Sequence, residues 1–377
     1  MSRKSRRGCA EAPRNETAQP IPFPVEEHET DPRTLWEAET KMEFQYLGQS
    51  GLRVSRICLG TMNFGESTDK ATAEQILHAA REAQVNFLDT ADAYQRGASE
   101  EIVGELVAED RDHWVLATKV GQQDGPAPRK MGLSRKWIMS AIDASLKRLR
   151  TDYIDIYYMH HRDRDTPLGE SIRAMGDVIA SGKATYWGFS NFFGWEIAEI
   201  IRLCDALGVP RPVVAQPMYN LTWRLPENDY LPACAHFGIG VAAFSPLGRG
   251  VLTGKYKQAA TPPADSRAAR GDRSLLNRDF QPETFRTVEL IRDHAAERGM
   301  SAADFALRWA LHNEIVTSVI AGPRTLEQWH AYLAALGHDF TAEDEEFANR
   351  LVPPGHPAAP GLNWSRHPPL GRRPRTG

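Results

Sequence analysis

The chain has 377 residues, 41% hydrophobic and 25% charged, with a formal net charge of -4. That balance suits a folded globular protein with a full core, and it excludes the strongly basic footprint of a nucleic-acid-binding domain. Four cysteines, Cys9, Cys58, Cys204 and Cys234, lack C-x-x-C or metal-like spacing, so the expectation is a reducing cytoplasm with no disulfide framework and no structural zinc.

Residues 1–41 are rich in Pro, Glu, Arg and Thr with little periodicity and read as a disordered N-terminal extension. Their paired arginines are followed by no apolar signal core, and no run approaches the ~18 apolar residues of a membrane span, so no membrane association is expected. Met42 directly precedes the first patterned segment, which makes it a candidate start of translation. From there, Glu43-Phe-Gln-Tyr-Leu-Gly-Gln-Ser-Gly-Leu-Arg-Val-Ser places strand-like runs around a glycine turn and predicts a hairpin that plugs the bottom of a barrel.

Eight apolar runs follow, near Arg56-Ile-Cys-Leu, Asn86-Phe-Leu, Trp114-Val-Leu-Ala, Tyr153-Ile-Asp-Ile-Tyr-Tyr, Ala184-Thr-Tyr-Trp-Gly, Pro212-Val-Val-Ala, Ile239-Gly-Val-Ala-Ala and Val316-Thr-Ser-Val-Ile. Between them, apolar spacings of three and four predict helices, for example over 71–84, 134–149, 194–207 and 282–298. Eight such alternations predict an α/β fold, a (β/α)8 barrel with the N-terminal β-hairpin, spanning 42–351. No G-x-G-x-x-G follows the first strand, which argues against an open dinucleotide-binding sheet. Residues 352–377 are rich in Pro, Gly, His and Arg and read as a tail.

Parallel barrel strands open their C-terminal ends onto one face, so the residues just beyond each run converge. Those residues include Asp89, Tyr94, Lys119 and His160. A phenol, whose reference pKa is about 10, donates a proton at neutral pH only beside a group that stabilises the phenolate. Lys119 offers an ammonium for that purpose, Asp89 a carboxylate to hold the ammonium, and His160 a donor to a carbonyl oxygen. Singly, each would serve equally as a cap, a rim aromatic or a solvated lysine; their shared strand-end placement singles them out as a site for protonating the oxygen of a carbonyl that receives hydride.

His161-Arg-Asp-Arg-Asp165 alternates His and Asp but lacks a zinc motif, so no metal is expected there. Neighbouring residues of an extended segment point oppositely, which predicts that only one of His160 and His161 faces the site. The remaining strand ends carry Ser190, Asn191, Gln216 with Tyr219, Phe244, Ser245 and Gly322-Pro-Arg-Thr325. They suit a nucleotide: amides for a carboxamide, a ring for stacking and a cation for phosphate. The connection from 255 to 280 is long for a compact domain, and its Arg267, Arg270 and Arg273 are candidates to close over a pyrophosphate. Phe64, Phe192 and Trp223 are expected to give the mouth an apolar lining.

Asp89-Thr-Ala-Asp-Ala-Tyr94, Ala117-Thr-Lys119, Asp155-Ile-Tyr-Tyr-Met-His160, Gly188-Phe-Ser-Asn191, Phe244-Ser-Pro-Leu-Gly-Arg-Gly250 and Ile320-Ala-Gly-Pro-Arg-Thr325 resemble the text of the aldo-keto reductase superfamily over nearly all of 42–351. The resemblance implies a (β/α)8 oxidoreductase that reduces an aldehyde or ketone with NAD(P)H. Tyr94 would be the proton donor, Lys119 and Asp89 its tuning pair, and His160 the orienting group. It further implies cofactor contacts from Gly60, Thr61, Met62, Ser190, Asn191, Gln216, Ser245 and Leu247, with Arg324 and Gln328 at the adenosine end, and Arg324 favouring NADPH over NADH. Phe244 stands where many members have Tyr, and Tyr332 where Asn is frequent. A keto-sugar or enone is an alternative substrate, and a cofactor-binding regulatory subunit, as in relatives that partner a channel, an alternative role. The sequence leaves oligomeric state and the physiological substrate open.

Overall fold

A computed structural model describes residues 42–122, 132–257, 260–264 and 266–360. The expectations for 1–41 and for 361–377 lie outside the described residues. Strands β1 (Phe44–Tyr46) and β2 (Arg53–Ser55) form the antiparallel hairpin. Eight strands then build the barrel: β3 (Ile57–Gly60), β4 (Phe87–Asp89), β5 (Val115–Val120), β6 (Ile154–Met159), β7 (Ala184–Ser190), β8 (Val214–Gln216), β9 (Gly240–Phe244) and β10 (Ser318–Ala321). Every neighbouring pair is parallel, and β10 closes the ring on β3. The eight strands and the plugging hairpin stand where the apolar runs predict them.

Parallel strands covered on both faces carry apolar side chains both inward and outward, which is why they read as continuous runs. Inside the ring, Cys58, Phe87, Ile156 and Tyr158 pack with Leu47 and Val54 of the hairpin. Outside it, a larger cluster fills the space between strands and helices. The helices start where the sequence offers caps: Asp69, Ser134, Ser301, Thr325 and Thr341 each accept from a backbone N–H of the first turn, each cap contributing about 1 kcal/mol.

The bottom of the barrel is held by backbone-level contacts. Gly48 turns the hairpin at φ +59° and lies so close to the Gly238–Gly240 segment that a Cβ would come within 2.6 Å of Gly238 O, so glycine is required there. Gln49 N–H donates to Gly238 O at 2.9 Å. Arg56 is 8% exposed and donates to Val316 O at 2.6 Å, Thr317 O at 3.1 Å and the carbonyl of Leu311. At the other end, residues assigned by composition to the tail are packed: Gly355 N–H donates to Glu227 at 2.9 Å and Ala358 N–H to Thr222 O at 3.0 Å. Among the described residues, no helix is long and apolar enough to cross a membrane.

Candidate active site

Barrel register sets the site. Gly60 pairs with Asp89, Asp89 with Ala117, and Lys119 with Tyr158, so Asp89 and Lys119 reach the same end of adjacent strands. Tyr94 opens the short turn Tyr94–Gly97 that follows β4, and His160 is the first residue beyond β6. Asp89, Lys119 and His160 are 2%, 0% and 6% exposed.

A lysine ammonium has three N–H donors, and all three of Lys119 are accounted for. One goes to Asp89 Oδ1, one to Thr90 O at 2.7 Å and one to the phenol oxygen of Tyr94 at 3.2 Å. The other oxygen of Asp89 accepts from Gln216 Nε2 at 2.8 Å. Burial alone would push the Lys119 ammonium toward neutrality, but Asp89 and Tyr94 outweigh it and the net direction is upward. Burial pushes the Asp89 carboxyl up against the opposing pull of Lys119 and Gln216. The complete donor set holds Lys119 and Asp89 as a charged pair. The Tyr94 and His160 rings meet edge to face with centroids 5.9 Å apart. Because Tyr94 Oη accepts from Lys119, its own proton is directed elsewhere.

Beside this cluster, Ser190 Oγ donates to Gln216 O at 2.8 Å, and Asn191 Nδ2 donates to His160 O at 2.7 Å and Ser190 Oγ at 3.0 Å. Asn191 adopts φ +62°, an uncommon conformation tolerated when surroundings fix it. Its Oδ1 is buried and accepts no hydrogen bond from the described residues, which suits a ligand amide N–H. Ser245 has φ +56°, its carbonyl accepting from Asn220 Nδ2 at 3.0 Å. Phe244 packs with Met218 and Trp223, while Leu247 packs against the outer core.

Across the mouth, Asn63 Nδ2 donates to Gly322 O at 3.1 Å and Pro323 O at 3.3 Å, and Thr68 Oγ1 donates to Arg324 O at 3.0 Å. Gln328 Oε1 accepts from Arg324 N–H at 2.9 Å. Burial, then Arg324, Arg267 and Arg270, push the Lys255 ammonium down, the signature of several cations gathered in one place and suited to an anion. Gly60 lies so close to Ile320 that a Cβ would stand 2.7 Å from its Cγ2, and Met62 is 37% exposed.

Several placements differ from the sequence expectations. His161 does not turn away from His160: the two rings stack at 4.4 Å and 15°, because β6 ends at Met159 and strand alternation no longer applies. Phe64 and Phe192 are fully buried in the outer core, and Trp223, 6% exposed, packs with Met218 and Phe244. The 255–280 connection contains the helix Arg273–Arg278, and Arg267 and Arg249 share Asp272 at 3.6 Å each. The Gln216 amide reaches Asp89, and the Thr61 hydroxyl joins Ser99 at 2.8 Å. Asn63, Thr68 and Asn220, which brace the mouth loops, carry no sequence pattern that marks them. Among the described residues no His, Cys, Asp and Glu cluster suits a metal ion.

A closed parallel barrel with a buried Asp–Lys pair bonded to a tyrosine at its C-terminal mouth defines a class of carbonyl-handling oxidoreductase. The sequence profile of the Aldo/keto reductase family matches residues 56–349, and the chain belongs to that family, which generally uses NAD(P)H. It is 41% identical over 287 residues, 74% of this chain and 87% of the relative, to a probable voltage-gated potassium channel subunit beta of Arabidopsis thaliana. It is 38% identical over 336 residues to the uncharacterized oxidoreductase YrpG of Bacillus subtilis, covering 86% of this chain and all of that protein. It is 34% identical over 319 residues, 82% of this chain and 91% of the relative, to L-glyceraldehyde 3-phosphate reductase of Escherichia coli K12.

Proposed function

We propose that the chain reduces an aldehyde or ketone to an alcohol with NADPH, Tyr94 acting as general acid. The observation that carries this reading is the saturated Lys119 ammonium, which donates to Tyr94 Oη at 3.2 Å while Asp89 holds it from behind. When bound, the nicotinamide supplies the hydride. As charge develops on the substrate oxygen, Tyr94 passes its proton to that oxygen, and Lys119 stabilises the phenolate left behind. His160, at the rim beside Tyr94, orients the carbonyl by donating to the same oxygen. The buried acceptor Asn191 Oδ1 fits a carboxamide N–H, and the cations around Arg324 support a phosphorylated adenosine end.

The test is oxidation of NADPH or NADH by the purified protein with aromatic and aliphatic aldehydes, ketones, keto-sugars, enones and phosphorylated aldehydes. Tyr94→Phe is expected to lower kcat about 10^3-fold with cofactor affinity retained; unchanged turnover in that variant sinks the proposal. Arg324→Ala is expected to weaken NADPH about tenfold or more and NADH little, and an unchanged affinity ratio removes the NADPH preference.

The 41% identity to a channel subunit favours a second reading, a cofactor-binding regulatory subunit. Tight cofactor binding with no turnover across the whole panel would favour it.

A further inference from the structure

The residues immediately after Tyr94 adopt a conformation that L-residues avoid. Gln95, Arg96 and Gly97 have φ of 49°, 57° and 94°, a run of left-handed geometry that persists only when its surroundings over-determine it. Two buried groups at the start of the following helix, Ala98–Leu106, provide that constraint. Ser99 Oγ donates to Thr61 O at 2.8 Å and shares hydrogen bonds with the hydroxyls of Thr61 at 2.8 Å and Thr90 at 2.9 Å. Glu100, fully buried, accepts from Arg148 Nε at 2.7 Å and from Thr118 Oγ1 at 2.5 Å. Thr118 is the outward neighbour of Lys119 on β5, and the stem of Arg148 lies over Gly97, where a Cβ would stand 2.8 Å from Arg148 Cδ.

One carboxylate therefore touches the strand that carries Lys119 and, through Arg148, holds a side chain against the turn that carries Tyr94. We propose that Glu100 and Arg148 are positioning residues that hold the left-handed turn and thereby fix the Tyr94–Lys119 hydrogen bond. This rests on the reading of Tyr94 as the acid. The pair stands on the outer side of the barrel wall, across β5 from Lys119, so its effect is on the geometry of proton delivery and not on binding.

The experiment uses the full chain with NADPH and p-nitrobenzaldehyde. Arg148→Met is expected to lower kcat about tenfold, to leave the NADPH dissociation constant within about twofold, and to raise the primary deuterium isotope effect on kcat as the chemical step becomes limiting. Arg148→Lys keeps the charge without the planar fork and is expected to recover part of kcat; if Arg148→Met does not fold, Arg148→Lys decides alone through its own intermediate loss. A lowered melting temperature with wild-type kcat and isotope effect in the folded variant overturns the proposal. Tyr94→Phe is run alongside: full turnover there sinks the acid assignment itself, whereas collapse there with unaffected Arg148 variants sinks only the positioning device.

Discussion

The two ends of the barrel each bury a cation, and they satisfy it differently. At the bottom, Arg56 is held by main-chain carbonyls of Leu311, Val316 and Thr317, with one of them at the C-terminal turn of the helix Ala302–His312, where the helix dipole favours positive charge. At the mouth, Lys119 is held by the Asp89 carboxylate, one carbonyl and a phenol. Carbonyls fix a cation and do nothing else. A carboxylate and a phenol can exchange protons and charge with what lies beside them, so on the proposed reading the same burial serves chemistry at one end and bracing at the other.

The sharpest way to break this contrast is at Lys119. Lys119→Met is expected to reduce turnover at least about 10^3-fold and to destabilise the fold by about 3 kcal/mol, because Asp89 is left buried without its cation. Steady-state kinetics and denaturant unfolding read the two effects, and a variant that keeps turnover defeats the division of labour. Arg56→Met is the converse: about 2–3 kcal/mol of stability lost from unsatisfied carbonyls, with kcat of the folded enzyme within about twofold of wild type. A large kcat loss there would mean the bottom is not mere bracing.

The smallest effect concerns acid. Burial raises the Asp344 carboxyl, but hydrogen bonds from the Thr341 backbone, His294 and the Thr341 hydroxyl outweigh it and hold it below the usual carboxylate value. Its stabilisation is therefore present above the ordinary aspartate pKa near about 3.9 and is lost as pH falls through its lower folded value. Asp344→Asn is expected to lower the melting temperature by a few degrees at neutral pH and to flatten its decline in acid, as calorimetry across pH would read; parallel curves for both proteins would contradict this.

The barrel was legible because its strands are buried on both faces and so write apolar runs such as Val115–Val120, and because helix caps sit between them. The four residues could be singled out for the same reason: a charge or a phenol at the end of such a run, or in the turn that follows it, lies at the mouth. What could not be read depends on side chains meeting from distant loops. Glu100 looks like one acid of a solvent-facing Ser-Glu-Glu until Arg148 and Thr118 close over it. Phe64 and Phe192 follow strand ends yet fold back into the outer core, and the His160–His161 stack forms only because the strand stops one residue earlier. The packing of Gly355 and Ala358 against Glu227 and Thr222 was hidden by a composition rich in proline and glycine.

The seam between β10 and β3 has a temporal meaning. Arg56 and its acceptor Val316 are 260 residues apart in sequence, as are, within a few positions, the strand partners Ile57 and Val319. During synthesis the edge of β3 that faces β10 therefore stays without its partner until almost the whole barrel has been made, and closing the ring is a highly non-local contact of the kind that forms slowly. Until that partner arrives, the open edge is a template for edge-to-edge association, and closing the ring removes it.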